Sequence, residues 1–258
     1  MSWWTTGVRG EIARVVLGGL VAVLASGCSG GDDDPSAAAE ERAGESTASV
    51  PDDASSTAVE QSQLVAQSDA EVEVWERPDE DDPSQVLAAE EMPSEKLTFL
   101  VLEELDDEWL EVQLPTPPLG ATGYLRRSDV SLNRHRYHIE ISRSEHSIKV
   151  FAGDVEAINE PVAIGPDAPA ADTTTYVKEL LFLSPDTPYA GHVYGLAGWS
   201  NTVDQLGSGQ GVVAIHGTNP EALGTDSLTG AVGVDQRVLN RMANNIGLPL
   251  GTPVTIRD

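Results

Sequence analysis

The sequence predicts a mainly β protein with two folded modules, one small and one of medium size, after an N-terminal stretch. Three observations lead there. Segments of four to seven residues alternate apolar and polar side chains, proline and glycine punctuate them at short intervals, and helical periodicity occurs in one place, near the C-terminus. At 258 residues the chain exceeds one typical domain. Once an export segment and a tether are set aside, it has room for one small module and one of medium size.

The N-terminus reads as an export signal. Arg9 and Arg14 make a weakly positive start, offset in part by Glu11, and residues 15–27 are small or aliphatic and uncharged. Such a run is short for a membrane span and long enough for the apolar part of a signal peptide. It ends in Leu24-Ala25-Ser26-Gly27-Cys28, and Cys28 is the single cysteine of the chain. This ending resembles a bacterial lipobox, although Ala25 stands where an aliphatic residue is more usual. The resemblance implies lipidation at Cys28, with residues 1–28 as the lipoprotein signal and the protein held at the outer face of the bacterial cytoplasmic membrane. An ordinary secretory signal and an uncleaved anchor are the alternatives. Residues 29–62, rich in Gly, Asp, Ser, Ala and Glu, have too few bulky apolar side chains to offset ordering entropy and are expected to form an acidic, disordered tether.

The formal charge is −27 and is uneven: residues 29–130 hold 27 acidic and 5 basic residues, residues 131–258 hold 14 and 8. So acidic a surface repels phosphate backbones and anionic head groups, which argues against a nucleic-acid partner. With one cysteine no intramolecular disulfide is possible, so the compartment is read from the targeting segment alone.

Residues 63–133 form the first predicted module. Ala70-Glu71-Val72-Glu73-Val74-Trp75 alternates with period two, as does Trp109-Leu110-Glu111-Val112-Gln113-Leu114; Thr98 to Glu103 is strand-like. Pro115, Pro117, Pro118 and Gly120 then enforce a turn before Thr122-Gly123-Tyr124-Leu125. This series resembles the bacterial Src-homology-3-like domain, which implies a small barrel with a wall-binding or partner-binding role. Trp75, Phe99 and Trp109 are either its core or a ligand platform.

Residues 136–258 form the second. Tyr137 to Ile141 and Ser147 to Phe151 flank a polar turn and read as a hairpin; His138 and His146 lie in it with no carboxylate or cysteine near them in sequence and read as surface or strand residues. Further strands are expected at Pro161 to Gly165 and Tyr176 to Phe182. Asp235 is a good N-cap; Val238, Leu239, Met242 and Ile246 share one helical face, and Gly247 can close the helix in a left-handed conformation. Val254-Thr255-Ile256 closes the module as a strand.

The chemistry centres on His216, at the end of the apolar run Gly211 to Ile215 and followed by Gly217-Thr218-Asn219. The order His-Gly-Thr-Asn, then Leu223-Gly224, then Thr229-Gly230-Ala231-Val232, then a short helix and Pro249-Leu250-Gly251-Thr252-Pro253-Val254 is similar to the L,D-transpeptidase domain, with Tyr176-Val177-Lys178-Glu179 and Tyr194-Gly195-Leu196-Ala197-Gly198-Trp199 extending the likeness upstream. The resemblance implies a β-sandwich with one short helix and peptidoglycan stem peptides as the ligand class. In that family a Ser-x-Gly-Cys-Ile/Val-Arg motif supplies a thiolate that attacks a stem-peptide carbonyl, a histidine acts as base, and backbone N–H groups hold the oxyanion. Aligned on Gly230, this chain has Leu228 for the serine, Ala231 for the nucleophilic cysteine and Gly233 for the arginine. A methyl group cannot attack a carbonyl, so His216 is expected to be a vestigial base.

The expected remnant of the cleft is Tyr194, Trp199, His216, Gly217, Thr218, Thr229, Gly230, Ala231 and Gly233. Ser227 or Thr229 could in principle act as a surrogate nucleophile, although an alcohol needs a well-placed base more than a thiol does. No metal-ligand spacing and no phosphate loop is present, so neither metal nor cofactor is expected, and His192 reads as an isolated loop residue. The sequence thus leads to a non-catalytic envelope lipoprotein that binds peptidoglycan or a wall-synthesis enzyme. An active cross-linking enzyme with a surrogate nucleophile, or an adaptor acting through the first module, are the alternatives.

Overall fold

The computed structural model describes residues 62–92, 94–186, 189–198, 213–227 and 231–258. Cys28, the export signal, residues 29–61 of the expected tether, Trp199, Leu228, Thr229 and Gly230 lie outside the described residues.

The first module is built from β1 (Gln63–Ser68), β2 (Val72–Val74), β3 (Gln85–Leu87), β4 (Leu97–Glu104), β5 (Trp109–Gln113), β6 (Thr122–Arg126) and β7 (Ser131–His135). Five of these form an antiparallel sheet in the order β6-β5-β4-β1-β7, while β2 and β3 form a separate ribbon. Trp75, just past β2, bridges Tyr124 of β6 through reciprocal backbone hydrogen bonds of 3.0 and 2.9 Å, which joins ribbon to sheet. Phe99, Leu97, Leu110, Val112 and Leu125 fill the space between them. Trp75 and Trp109 are both buried and meet edge to face at 5.1 Å, with the Arg126 guanidinium over both rings. The aromatic residues of this module therefore serve as core.

Arg136 turns the chain into the second module: β8 (Tyr137–Ser142), β9 (Ser147–Ala152), β10 (Val155–Pro161), β11 (Ala163–Ile164), β12 (Thr173–Leu183), β13 (Gly191–Leu196), β14 (Ala214–Gly217), β15 (Val232–Val234), helix α1 (Gln236–Asn240) and β16 (Pro253–Arg257). Nine strands make one mixed sheet in the order β10-β9-β8-β16-β12-β13-β14-β15-β11. Its two edge strands, β10 and β11, are separated in the chain by Val162 alone, so the sheet curls back on itself and closes over its own apolar face. Ile139, Ile141, Ile148 and Val150 from one half meet Tyr194, Leu196, Ile215, Val232 and Val234 from the other, and α1 contributes Val238 and Leu239. The expected Pro161 to Gly165 strand is divided at this closure, with Pro161 ending β10 and Ala163 opening β11.

The helix begins as its sequence requires. The Asp235 carboxylate accepts the Arg237 amide at 2.8 Å, and Gly247 ends the helical stretch at φ 64°, ψ 47°. Beyond Asn240 the backbone widens into a π turn over Arg241–Ile246, with Met242 buried. Two histidines have tertiary partners that their sequence neighbourhoods do not reveal. His146 Nε2 lies 3.0 Å from Asp226 Oδ1, so a carboxylate does accompany it, and His192 sits on β13 rather than in a loop, with Nδ1 3.1 Å from Asn240 Oδ1.

The two modules share a buried polar seam. The Tyr176 hydroxyl, on β12, donates toward the Thr98 carbonyl at 2.8 Å and the Gln113 carbonyl at 3.2 Å, and Gln113 Nε2 donates to the Thr174 carbonyl at 3.2 Å. Leu100, Tyr176 and Ala197 pack around it, and Gly251 approaches Val65 so closely that a side chain there would overlap it. Burial pushes the Tyr176 phenol far above its ordinary pKa, so it remains a donor throughout the physiological range. Tyr176→Phe removes the donor from two carbonyls and is expected to lower stability by about 1–3 kcal/mol. Urea unfolding checks this; an unchanged midpoint would mean that water replaces the hydroxyl without penalty.

Candidate functional site

The candidate site lies where β14 and β15 run parallel. Their register sets Ile215 against Val232, His216 against Gly233 and Gly217 against Val234. Because side chains alternate across a strand, His216 points to the side of Gly233. Tyr194, paired with Ile215 in the neighbouring strand, points to the opposite side. Tyr194 is fully buried within the main core, its hydroxyl has no hydrogen-bond partner among the described residues, and burial raises its pKa. It is a core residue and offers no surface to a ligand.

His216 is 5% exposed. Its Nδ1 lies 3.0 Å from the Gly217 carbonyl, so the proton belongs on Nδ1 and Nε2 carries the free lone pair. Nε2 is buried and has no partner among the described residues. Burial lowers the pKa of the ring, with the Gly217 carbonyl partly opposing, so the imidazole is neutral at physiological pH. A neutral ring with an unoccupied lone pair has the state of a general base.

Ala231 is 1% exposed, packs in the main core, and accepts the Gly165 amide through its carbonyl at 2.7 Å. Gly233 lies against Thr218: a Cβ at 233 would fall 2.8 Å from Thr218 Cβ. Thr218 is held by its amide, which donates to the Val234 carbonyl at 2.9 Å. The space that a side chain at 233 would need is filled by the threonine. Gly217 is similarly covered, since a Cβ there would lie 2.6 Å from Gln236 Oε1, and the Gln236 amide also covers Gly191. Of the sequence-derived positions, His216, Gly217, Thr218, Ala231 and Gly233 are gathered at this strand pair.

Four further residues complete the surroundings. The Tyr189 ring packs edge to face on His216 at 4.7 Å, and its phenol pKa is raised by burial and then by the negative charge of Asp167. Asp167 Oδ2 is buried without a partner among the described residues; it lies two residues beyond Gly165, which bonds Ala231. Gln236 opens α1 and lies over the two glycines. Glu179 pairs with Gly195 on β13, in the same cross-strand row as Ala214. A Cβ at 195 would sit 2.5 Å from Glu179 Cγ, so the glycine makes room for the buried acid. Glu179 is 1% exposed, and neither carboxylate oxygen has a partner among the described residues. Burial raises its pKa, the neighbouring Lys178 opposes this, and burial correspondingly lowers the Lys178 amine. No motif marks these four: Tyr189 and Asp167 sit in turns, and Glu179 is one more acid in an acidic chain.

Among the described residues no three His, Cys, Asp or Glu side chains gather as a metal site. No protein-family model and no curated protein matches the sequence. Solved structures similar to the chain include three L,D-transpeptidases. L,D-transpeptidase 3 from Mycobacterium tuberculosis has a TM-score of 0.41 and 13% identity, over 82% of this chain and 89% of that one. The enzyme from Mycobacterium smegmatis has a TM-score of 0.38 and 11% identity over 62% and 90%. The enzyme from Xylanimonas cellulosilytica has a TM-score of 0.33 and 13% identity over 46% and 59%, so the chain spans about three fifths of that structure.

Two substitutions test this geometry. Gly233→Ala must displace Thr218 and is expected to lower stability by about 1–3 kcal/mol, whereas Ala231→Cys adds one sulfur and should stay within about 1.5 kcal/mol of the wild type. Comparable losses would contradict the packing described for Thr218. Glu179 provides a pH signature. Its folded pKa lies above the unfolded value, so the stability it contributes is present below the ordinary glutamate range and is lost as pH rises. Glu179→Gln should remove that part of the decline and gain about 1 kcal/mol or more at neutral pH; an unchanged pH–stability curve would mean that the carboxyl is paired in solution.

Proposed function

We propose that this protein is a lipid-anchored component of the bacterial cell envelope whose second module keeps a transpeptidase-like cleft for binding rather than for bond formation. The observation that carries the reading is the buried methyl of Ala231 at the position where the motif order requires a thiol, while the lone pair of the neutral His216 has no partner among the described residues. A base without a nucleophile performs no acyl transfer. The loss of the arginine counterpart at Gly233 is accompanied by Thr218 filling its space, which supports a settled non-catalytic arrangement over a single recent substitution.

The ligand class that fits the motif order is the peptidoglycan stem peptide, or an enzyme of wall synthesis that handles it. Cys28 would hold the protein to the outer face of the cytoplasmic membrane, and the acidic stretch after it would give the modules reach into the wall. Within this reading the first module, resembling a Src-homology-3-like domain, orients the second through the Tyr176 seam and acts together with it.

The test is a paired assay on the purified protein. It should co-sediment with isolated peptidoglycan sacculi and release no D-alanine from a disaccharide-tetrapeptide; Ala231→Cys should leave sedimentation unchanged. Failure to sediment would overturn the binding role. Release of D-alanine that disappears in Ser227→Ala or Thr229→Ala would establish a surrogate nucleophile instead.

A further inference from the structure

The corner between the modules is the exception in an acidic chain. Arg134-His135-Arg136 places two arginines and a histidine together in a protein of net charge −27. Beside them opens a cavity of about 300 Å³ lined by Ser62, Arg134, His135, Arg136, Tyr137 and Ala152.

The arginines of the two modules are otherwise engaged. Among the described residues, Arg77, Arg126, Arg127, Arg134, Arg237 and Arg257 each bond a carboxylate, and Arg143 and Arg241 bond backbone carbonyls. Arg136 alone among them has no partner for its guanidinium, and no carboxylate of the described chain reaches it. Asp154 follows Gly153 in the β9–β10 turn, and no ion pair joins it to Arg136. Gly153 has φ 63°, and a Cβ there would sit 3.4 Å from an Arg136 terminal nitrogen. The turn thus passes the guanidinium without a side chain to cover it.

The rest of the corner is braced and remains positive. The Gly153 amide donates to the Arg136 carbonyl at 2.7 Å, and the Tyr137 amide donates to His135 Nδ1 at 3.2 Å. Burial lowers the His135 pKa, with the Leu250 carbonyl partly opposing, so the ring braces the turn as a neutral group. Glu104 is shared between Arg127 and Arg134, so one carboxylate faces two guanidinium groups.

We propose that this corner pocket binds an oxyanion, a phosphate or carboxylate group, with Arg136 as the principal ligand and Arg134 as flanking charge. A guanidinium presents a planar fork of donors that matches two oxygens of such a group, and in a chain of this overall charge a free fork beside a cavity is selective for a small anion that reaches it at short range. The site is separate from His216 and independent of whether the second module binds stem peptides.

The experiment is an NMR titration of the full folded protein with inorganic phosphate at constant ionic strength set by sodium chloride. The amides of Gly153 and Tyr137 should shift saturably, chloride should not reproduce the shift, and Arg136→Gln should weaken binding by about tenfold or more. Ala152→Glu, which brings a carboxylate to the cavity wall, should weaken it likewise. Shifts that chloride reproduces, or phosphate binding that survives Arg136→Gln, would overturn the proposal. Two further arms identify the source of the group. Saturable shifts with acetate assign a carboxylate, and vesicles of phosphatidylglycerol that compete with phosphate on the wild type assign a lipid head group; vesicle binding retained by Arg136→Gln would count against the site.

Discussion

Strand β12 changes partners midway, and the rest of the molecule is organised around that change. Residues 173–176 pair with β16 on one side, residues 177–183 pair with β13 on the other, and the β12–β13 register shifts between Val177 and Glu179. An irregularity of this kind twists and re-aims a strand. On one side of it Tyr176 carries its hydroxyl into the first module; on the other Glu179 turns toward Gly195 on the sheet that holds His216. One strand therefore couples the module seam to the candidate site. The C-terminal strand β16 completes the arrangement by lying between β8 and β12, parallel to the first and antiparallel to the second, so the last residues of the chain close the centre of the sheet.

The seam also limits what the first module can do. The β4 and β5 carbonyls of Thr98 and Gln113 are occupied by Tyr176, and Val65 of β1 lies against Gly251. Its tryptophans are committed to the core beneath Arg126. These surfaces belong to the union of the two modules.

Most strands were legible because one face is buried and the other wet. β2, β8 and β9 show this alternation and lie close to where it places them. β1 was hidden for the opposite reason: Leu64, Val65, Ala66 and Ser68 are all buried in a strand with neighbours on both sides, so no alternation survives. β7 is an edge strand without a buried residue, and β3 is too short to carry a pattern. The helix was legible from Asp235 and Gly247, but a π turn leaves no mark in a pattern of apolar spacing. At the site, motif order located His216, Ala231 and Gly233 because those positions are local in sequence. Asp167, Tyr189, Glu179 and Gln236 come near the strand pair through tertiary approach, and Tyr194, placed in the expected cleft by motif order, is buried in the main core on the Ile215 side of the sheet.

The central proposal is that Ala231, where the motif order places a thiol, leaves this site unable to form a bond to a carbonyl. Intact-mass spectrometry of the purified polypeptide after incubation with a carbapenem tests it most directly, since any activated hydroxyl or thiol in the cleft would be acylated. The account predicts an unchanged mass for the wild type. A stoichiometric adduct mapped to the segment between Thr225 and Gly233 would contradict it.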